Sequence, residues 1–428
     1  MNLRQKIEQH LSAEAIFLIE SVSTISSESG NATYLVGGAV RDVLLGRESY
    51  DLDFVTEGSG IELAEVLAQN HGGELVAHQQ FGTAVWTPPK QLFDHTIDCI
   101  TARRETYAHP AALPDVIVSN MKDDLFRRDF SINAMAVRLD GHHFGELLDL
   151  YGGASDLENQ QIRVLHTKSF EDDPTRIFRA IRYMGRLNFK LEAHTESWLI
   201  NQRDNIQLLS ADRIRHELEK ILVEADPYPI LTLLEHYRCL EFIPHVVWGD
   251  LGEQNFNRLS HNLNDELGKV TLAESDIVRL RFLTWLFSSP PSAKTAFETA
   301  KALNFPAEWQ NDIVRVLRFA QPSEDFETEL PPSAVEKLFR GMSATQLTVL
   351  KSVQWLPPQF DNLIDRYFFE WQYIKPISDG NTLIKMGLQP GPRFKIILDA
   401  LLAATLDGKI QSAEDEAALI ESLSNGQK

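Results

Sequence analysis

The stretch YLVGGAVRDVLLGRESYDLDFV, residues 34–55, sets two adjacent glycines ahead of two aspartates. Side chains alternate faces along a strand, so Asp51 and Asp53, two apart in a strand-like run, share one face. Carboxylates so close repel each other unless cations lie between them. Mg²⁺ suits such a pair because it takes a few carboxylates together with substrate phosphates. Two such ions serve the attacking and leaving oxygens of phosphoryl or nucleotidyl transfer. The glycines suit the same chemistry. Without a Cβ they let a phosphate approach the backbone, and the helix that follows points free N–H groups outward. The helix follows Gly37 and Gly38, and Arg41 lies one turn into it, where a guanidinium can hold a triphosphate. Either half alone reads equally well as an ordinary turn or a solvated surface strand. The joint pattern of strand, Gly-Gly, Arg-Asp helix and Asp-x-Asp strand is much more specific.

Two later segments carry arginines. DDLFRRDFSINAMAV, residues 123–137, sets Arg127, Arg128 and Asp129 before a mostly apolar run. On composition alone these are solvated charges; the sharper reading has Arg128 on a phosphate and Asp129 accepting from a ribose hydroxyl. In SFEDDPTRIFRAIRYMGRLNF, residues 169–189, a helical wheel at about 100° per residue puts Ile177, Phe178, Ile181 and Met184 on one face. Arg176, Arg179, Arg182 and Arg186 fall on the other, with Asp173 at the border. A merely solvated face would take lysine and glutamate as readily. Arginine alone points to planar, bidentate contacts with bases and phosphates. Asp173 and Arg176 are helical neighbours, an acceptor beside a donor. Cytosine and adenine each present an amine beside an acceptor nitrogen and match that pair; uracil and guanine present the reverse. Buried mispairing costs about 1–3 kcal/mol per group. An ordinary salt bridge between the two is the plain alternative.

These residues need elements to hold them. ATYLV, YDLDFV, ELVAH, TAVWTP and HTIDCIT read as strands, and GIELAEVLAQNHGG as a helix ending in glycines. Residues 1 to about 30 read as a helix followed by a polar Ser/Glu/Gly linker. Beyond about 155 amphipathic helices dominate, broken at ADPYP, SSPPS, QPSEDFETELPPS and LPPQ, with no fixed-period repeat. The expected fold class is α+β: a small mixed-sheet head, then an all-α remainder. A chain of 428 residues implies several domains. Two cysteines, Cys99 and Cys239, exclude a disulfide scaffold and a multi-cysteine zinc site, and suit a reducing cytosol. No signal-peptide pattern or membrane-spanning run is found, so a soluble cytoplasmic protein without a membrane partner is expected. A formal net charge of −20 argues against a nucleic-acid partner unless the cations gather on one surface, as the arginine segments suggest.

Taken in order, these segments resemble the class II tRNA nucleotidyltransferases, the CCA-adding family within the DNA polymerase β-like superfamily. GGAVRD with DLD resembles the family's metal and triphosphate motif, and RRD its ribose motif. LLDLYGGASDL, with Asp149, Gly152 and Asp156, resembles its hinge; DDPTR its base-reading template; LSADRIRHEL the helix motif after it. The resemblance spans residues 33 to about 222. It implies Mg²⁺ ligands at Asp51 and Asp53, with Asp98 as a third catalytic carboxylate. It implies nucleotide contacts at Gly38, Arg41, Arg128, Asp173, Arg176, Arg179 and Arg182, and ribose sensing at Asp129. It implies an N-terminal helix over 1–30, a nucleotidyltransferase head over 31–155, a helical neck over 156–225, a body over 226–330 and a tail over 331–428, the last three forming an elongated all-α part. The implied reaction adds C, C and A to a tRNA 3′ end from CTP and ATP, releasing pyrophosphate. An A-adding or CC-adding specialist, a poly(A) polymerase, or a non-catalytic RNA-binding protein on the same scaffold would share the motifs; the intact aspartates speak against the last. The template motif usually begins Glu-Asp, where this chain has Asp172-Asp173, and Asp212 stands where Glu is common. The long segment between Asp98 and Arg127 is where a mobile loop is expected. No His-Asp dipeptide occurs, so the metal phosphohydrolase domain fused to some relatives is not expected. In the tail, Lys385, Arg393 and Lys395 are candidates for the tRNA backbone. DLDFV also fits the start of haloacid-dehalogenase-type phosphatases, but there an apolar buried strand precedes the first aspartate, and here the polar GRESY does. Oligomeric state is left open.

Overall fold

The computed structural model describes residues 1–243, 251–265, 267, 274–288, 293–320, 330–353 and 355–425. It divides into two compact units, Met1–Ile243 and Pro244–Lys428. The expected break at SSPPS, save Ser288, and most of the one at QPSEDFETELPPS lie outside the described residues.

The first unit opens with helices α1 (Arg4–His10) and α2 (Ala13–Ser29). The expected linker before residue 30 is absent, because α2 runs through SVSTISSES to a left-handed Gly30. Val22 and Ser26 are buried along it, and that packing keeps a serine-rich stretch helical. The strands expected from the sequence all form: β1 (Thr33–Val36), β2 (Leu52–Thr56), β3 (Glu74–His78), β4 (Thr83–Thr87) and β5 (Ile97–Thr101). Helix α3 (Gly38–Leu44) joins β1 to β2, and α4 (Gly60–His71) follows β2. A hairpin, β6 (Arg103–Thr106) and β7 (Asp115–Val118), leads to α5 (Met121–Phe126), β8 (Ala136–Arg138) and β9 (Leu147–Leu148). The main sheet has the order β3-β4-β5-β2-β1-β8-β9, with β2 and β5 parallel and the other neighbours antiparallel. The β6–β7 hairpin forms a separate small sheet. Val36, Val55 and Ala136 of the main sheet pack with Met121 and Leu125 of α5 in one apolar cluster, which seats α5 beside the strands that carry the aspartates.

Helix α6 (Gly153–Glu158) begins where Asp149 accepts from the backbone N–H groups of Gly153 (2.8 Å) and Ala154 (2.9 Å), just after a left-handed Gly152. Beyond it come α7 (Ser169–Asp172), α8 (Thr175–Leu187), α9 (Ala193–Gln202), α10 (Ala211–Val223) and α11 (Tyr228–His236). α8 packs on α10 and α11. Its contact with α11 is close enough that a Cβ on Gly185 would lie 2.4 Å from the Ile230 side chain.

Among its described residues the second unit is helical. Buried Lys351 holds Asp265 (3.2 Å) and Asp365 (3.0 Å), joining three segments of that unit. Near the C-terminus Leu383, Ile397, Leu401, Ile410 and Ile420 form a small core. Arg393 is committed there: its Nη2 donates to the carbonyls of Leu423 and Ser424, 2.8 Å each. The Arg393 side chain is nonetheless exposed, with Nε and Nη1 outside those bonds. Lys385 and Lys395 are exposed. No helix among the described residues is long and apolar enough to cross a membrane.

Candidate active site

Gly37 ends β1 with φ 69° and ψ −129°, a backbone region that suits glycine. A Cβ there would lie 3.2 Å from Arg128 Nη1 and 3.5 Å from Asp53 Oδ2. One on Gly38 would lie 3.7 Å from Arg41 Nη2 and 3.9 Å from Asp51 Oδ2. The bare turn therefore runs between two carboxylates and two guanidiniums. Asp51 sits just before β2 and Asp53 within it. Register sets Asp53 opposite Asp98 across the parallel β2–β5 pair, so their side chains share a face.

Among the described residues no hydrogen bond or ion pair occupies Asp51, Asp53 or Asp98. The Asp53 carboxyl is pushed up to about 7, by burial first, then by Asp51 and Asp98, with Arg128 opposing. Asp98 is raised by burial and by Asp51, against His78. Unpaired carboxylates crowded this way are relieved by a cation. Among the described residues no three His, Cys, Asp or Glu side chains converge tightly enough to hold a metal ion by themselves. The residues thus fit a cation whose remaining ligands are supplied by a bound phosphate, the arrangement Mg²⁺ favours.

Asp51, Asp53 and Arg128 line a cavity of about 680 Å³; Asp98, beside Asp53 on the sheet, does not line it. Asp51 and Asp53 stand on one wall; Arg179, Arg182 and Arg186 of α8, with Lys220 of α10, stand on another. The Tyr183 ring gathers three guanidiniums at 5.2 Å (Arg41), 5.3 Å (Arg182) and 5.9 Å (Arg179) from its centroid. Arg182 Nη1 pairs with Glu224 (3.2 Å), and its Nε is buried without a hydrogen-bond partner. Arg41 lines the cavity but is itself buried, held by Asp42 (2.9 Å at both Nε and Nη2) and by Asn133 Oδ1 (2.8 Å).

The structure brings Gly38, Arg41, Asp51, Asp53, Arg128, Arg179 and Arg182 together around one cavity. Asp129, Asp173 and Arg176 do not line it. Asp129 is buried: its Oδ1 takes Phe130 N (2.8 Å) and Asn133 Nδ2 (3.0 Å), and its Oδ2 takes Arg179 Nε (2.8 Å). Two expectations for the base-reading pair need correction. Asp173 and Arg176 do not stand side by side on one helix, because Asp173 is extended backbone between α7 and α8. Its Oδ1 caps α8 by accepting from Thr175 N (3.1 Å) and Oγ1 (2.7 Å), and it pairs with Arg213 (2.7 Å). Nor does Arg176 share the open arginine face. It is buried in the first turn of α8, where its donors must be satisfied locally: Nη1 donates to Ser169 Oγ (2.7 Å) and Nη2 to the Arg127 carbonyl (2.7 Å).

Asn133, Tyr183, Asp42 and Lys220 escaped the sequence reading. Asn133 carried a usable signal, a lone amide in the apolar run FSINAMAV. Tyr183 carried another, four residues after Arg179 on the same helix.

Residues 33–163 match a family model described as the poly A polymerase head domain, and residues 188–248 one described as a probable RNA and SrmB-binding site of polymerase A. An A-adding tRNA nucleotidyltransferase of Halalkalibacterium halodurans is 30% identical over 421 residues, covering 97% of this chain and 94% of the relative. A longer A-adding relative from Geobacter sulfurreducens is 32% identical over 96% of this chain, which spans 47% of it. Two solved structures align along almost the entire chain. A Thermotoga maritima CCA-adding enzyme complexed with tRNA has a TM-score of 0.77 at 27% identity, covering 100% of this chain and 99% of that one. A CCA-adding enzyme in complex with ATP has a TM-score of 0.82 at 27% identity, with the same coverage. Matched at 30% identity along 97% of its length, and carrying that family's head domain, the chain belongs to the class II tRNA nucleotidyltransferase family.

Proposed function

We propose that this enzyme adds C, C and A to the 3′ end of tRNA from CTP and ATP without a nucleic-acid template. The observation that carries the reading is the cavity itself: unpaired carboxylates face a wall of arginines across a bare glycine turn. A ribonucleoside triphosphate and an RNA end supply the anions that such a wall attracts. The tRNA 3′ hydroxyl oxygen forms a bond to the α-phosphorus, the bond to the β-phosphate oxygen breaks, and pyrophosphate leaves. Asp51 and Asp53 are the residues that would hold Mg²⁺, with Asp98 beside them; when bound, the ions neutralise charge on the attacking and leaving oxygens. Arg128, together with the N–H groups of the glycine turn, takes the triphosphate. Arg179 and Arg182 face the nucleotide from α8. Asp129 acts on ribose choice through the groups it holds, Asn133 and Arg179.

Base choice is assigned to Asp173 and Arg176. The bonds of the Asp173 carboxylate to Thr175 and Arg213 all fall on Oδ1, which leaves Oδ2 to accept an exocyclic amine. Arg176 reaches a base by exchanging its bonds to Ser169 and the Arg127 carbonyl. A-only addition is the second reading, favoured by the names of the relatives from H. halodurans and G. sulfurreducens. Incubation with tRNA transcripts lacking CCA, ending in C, or ending in CC, with CTP, ATP or both, separates the readings by product length. Full CCA addition extends all three transcripts; an A-adding enzyme extends only the last. No extension of any transcript by wild type, with Asp53→Ala as the blank, sinks both.

A further inference from the structure

Asp124, on α5, has no solvent exposure, yet it is the shared partner of two arginines. One oxygen takes Arg127 at Nε (3.0 Å) and Nη2 (2.7 Å). The other takes Arg128 at Nε (3.3 Å) and Nη2 (3.0 Å). Burial pushes this carboxyl up, but Arg128 and Arg127 outweigh it and hold it below the usual range, so it stays charged. The two arginines turn to different places. Arg127 faces a second cavity of about 490 Å³ and pairs with Glu105 of β6 (3.2 Å). Arg128 faces the active-site cavity.

With Nε and Nη2 of Arg128 held from behind, Nη1 is the nitrogen left over. It lies 3.2 Å from where a Gly37 Cβ would be, and its charge acts on Asp53. A guanidinium is a rigid plane, so fixing two nitrogens fixes the direction of the third. An exposed helical ion pair would leave that direction free and contribute little.

We propose that Asp124 is a positioning residue for the phosphate site: it aims Arg128 Nη1 at the glycine turn, where the incoming triphosphate docks, without touching the nucleotide. The inference rests on the nucleotidyl-transfer reading above. The role is separable from mere helix support because its effect must pass through Arg128.

The test is a double-mutant cycle read in steady-state kinetics with ATP and a tRNA ending in CC. Asp124→Asn offers one acceptor where two are used, and should raise KM for ATP on the order of 10- to 100-fold, with kcat and KM for tRNA changing far less. Arg128→Ala should give a similar rise, and the double variant should be no worse than Arg128→Ala alone. Additive effects, or a KM for ATP that stays put while only the melting temperature falls, overturn the proposal. Arg128→Lys covers the case in which Asp124→Asn does not fold. It keeps the charge but not the fixed plane, so it should behave like Arg128→Ala; a normal KM for ATP overturns the proposal. A wild-type enzyme that incorporates nothing would instead sink the functional reading on which it rests.

Discussion

Asp129 is where single-residue electrostatics bears most directly on stability. Burial pushes its carboxyl up, but Arg179 and the Asn133 amide outweigh burial and hold it at about 2. A depressed carboxyl contributes stability above its unfolded value and loses it as pH falls through the folded one. Wild type should therefore exceed Asp129→Asn by about 2 kcal/mol above pH 5, with the gap closing as pH falls below about 4 toward 2. Denaturant unfolding of both proteins across that range checks it, and a gap that widens in acid rules it out. Asp173 tests selection. If Oδ2 accepts the amine of C or A, Asp173→Ala slows both nucleotides and gains UTP and GTP relative to them. The shift in ratio should be on the order of 10- to 100-fold, for a loss of about 1–3 kcal/mol. If the bonds to Thr175 and Arg213 are its whole role, all four triphosphates slow together and the melting curve drops. Single-nucleotide incorporation assays on the folded variant distinguish the outcomes.

Among the elements, α6 joins the hinge motif to the segment that carries the paired arginines. Its Asp156 bonds the Ser131 hydroxyl and pairs with Arg163 (2.7 Å). Gly153, in its first turn, has no room for a side chain: a Cβ would sit 2.2 Å from the Ser131 carbonyl and 2.8 Å from the Met135 side chain. Backbone cannot step aside as a flexible side chain can. Gly153→Ala should cost about 1–3 kcal/mol in unfolding free energy. Because Ser131 follows Asp129 by two residues, KM for ATP should rise as well. Thermal melting and kinetics on one preparation check both, and an unchanged melting temperature would mean that the contact yields. Gly185→Ala, pressed against Ile230 of α11, is a useful comparison outside the head.

For the whole molecule, a net charge of −20 coexists with a cavity wall of Arg179, Arg182, Arg186 and Lys220. Counterions are released from each phosphate that such cations neutralise, so tRNA affinity should fall steeply as salt rises. In the second unit Lys385, Arg393 and Lys395 are exposed, and Arg393 also donates to the carbonyls of Leu423 and Ser424. Lys395→Glu should weaken tRNA binding severalfold without altering which nucleotide is added. Binding isotherms at several salt concentrations check this, and indifference to both salt and reversal would remove the tail as an RNA surface.

The sequence by itself determined the strands and the glycine turn, because period-two patterning and a missing Cβ act over a few residues. The carboxylates were legible for the same reason: two residues apart on a strand, Asp51 and Asp53 must face the same way. The β6–β7 hairpin was not legible. Its first strand, RRET, has no apolar alternation; its second, DVIV, carries β-branched residues but leaves Val118 exposed, so only one half of the pair has a local signal. Nor was the fate of Asp173, Arg176 and Asp129. Helical spacing predicted a partnership three residues apart, whereas the folded chain pairs Asp173 with Arg213, 40 residues away, and Asp129 with Arg179, 50 away. A buried charge takes whichever partner the packing brings within hydrogen-bond reach, and only the tertiary structure decides which one that is.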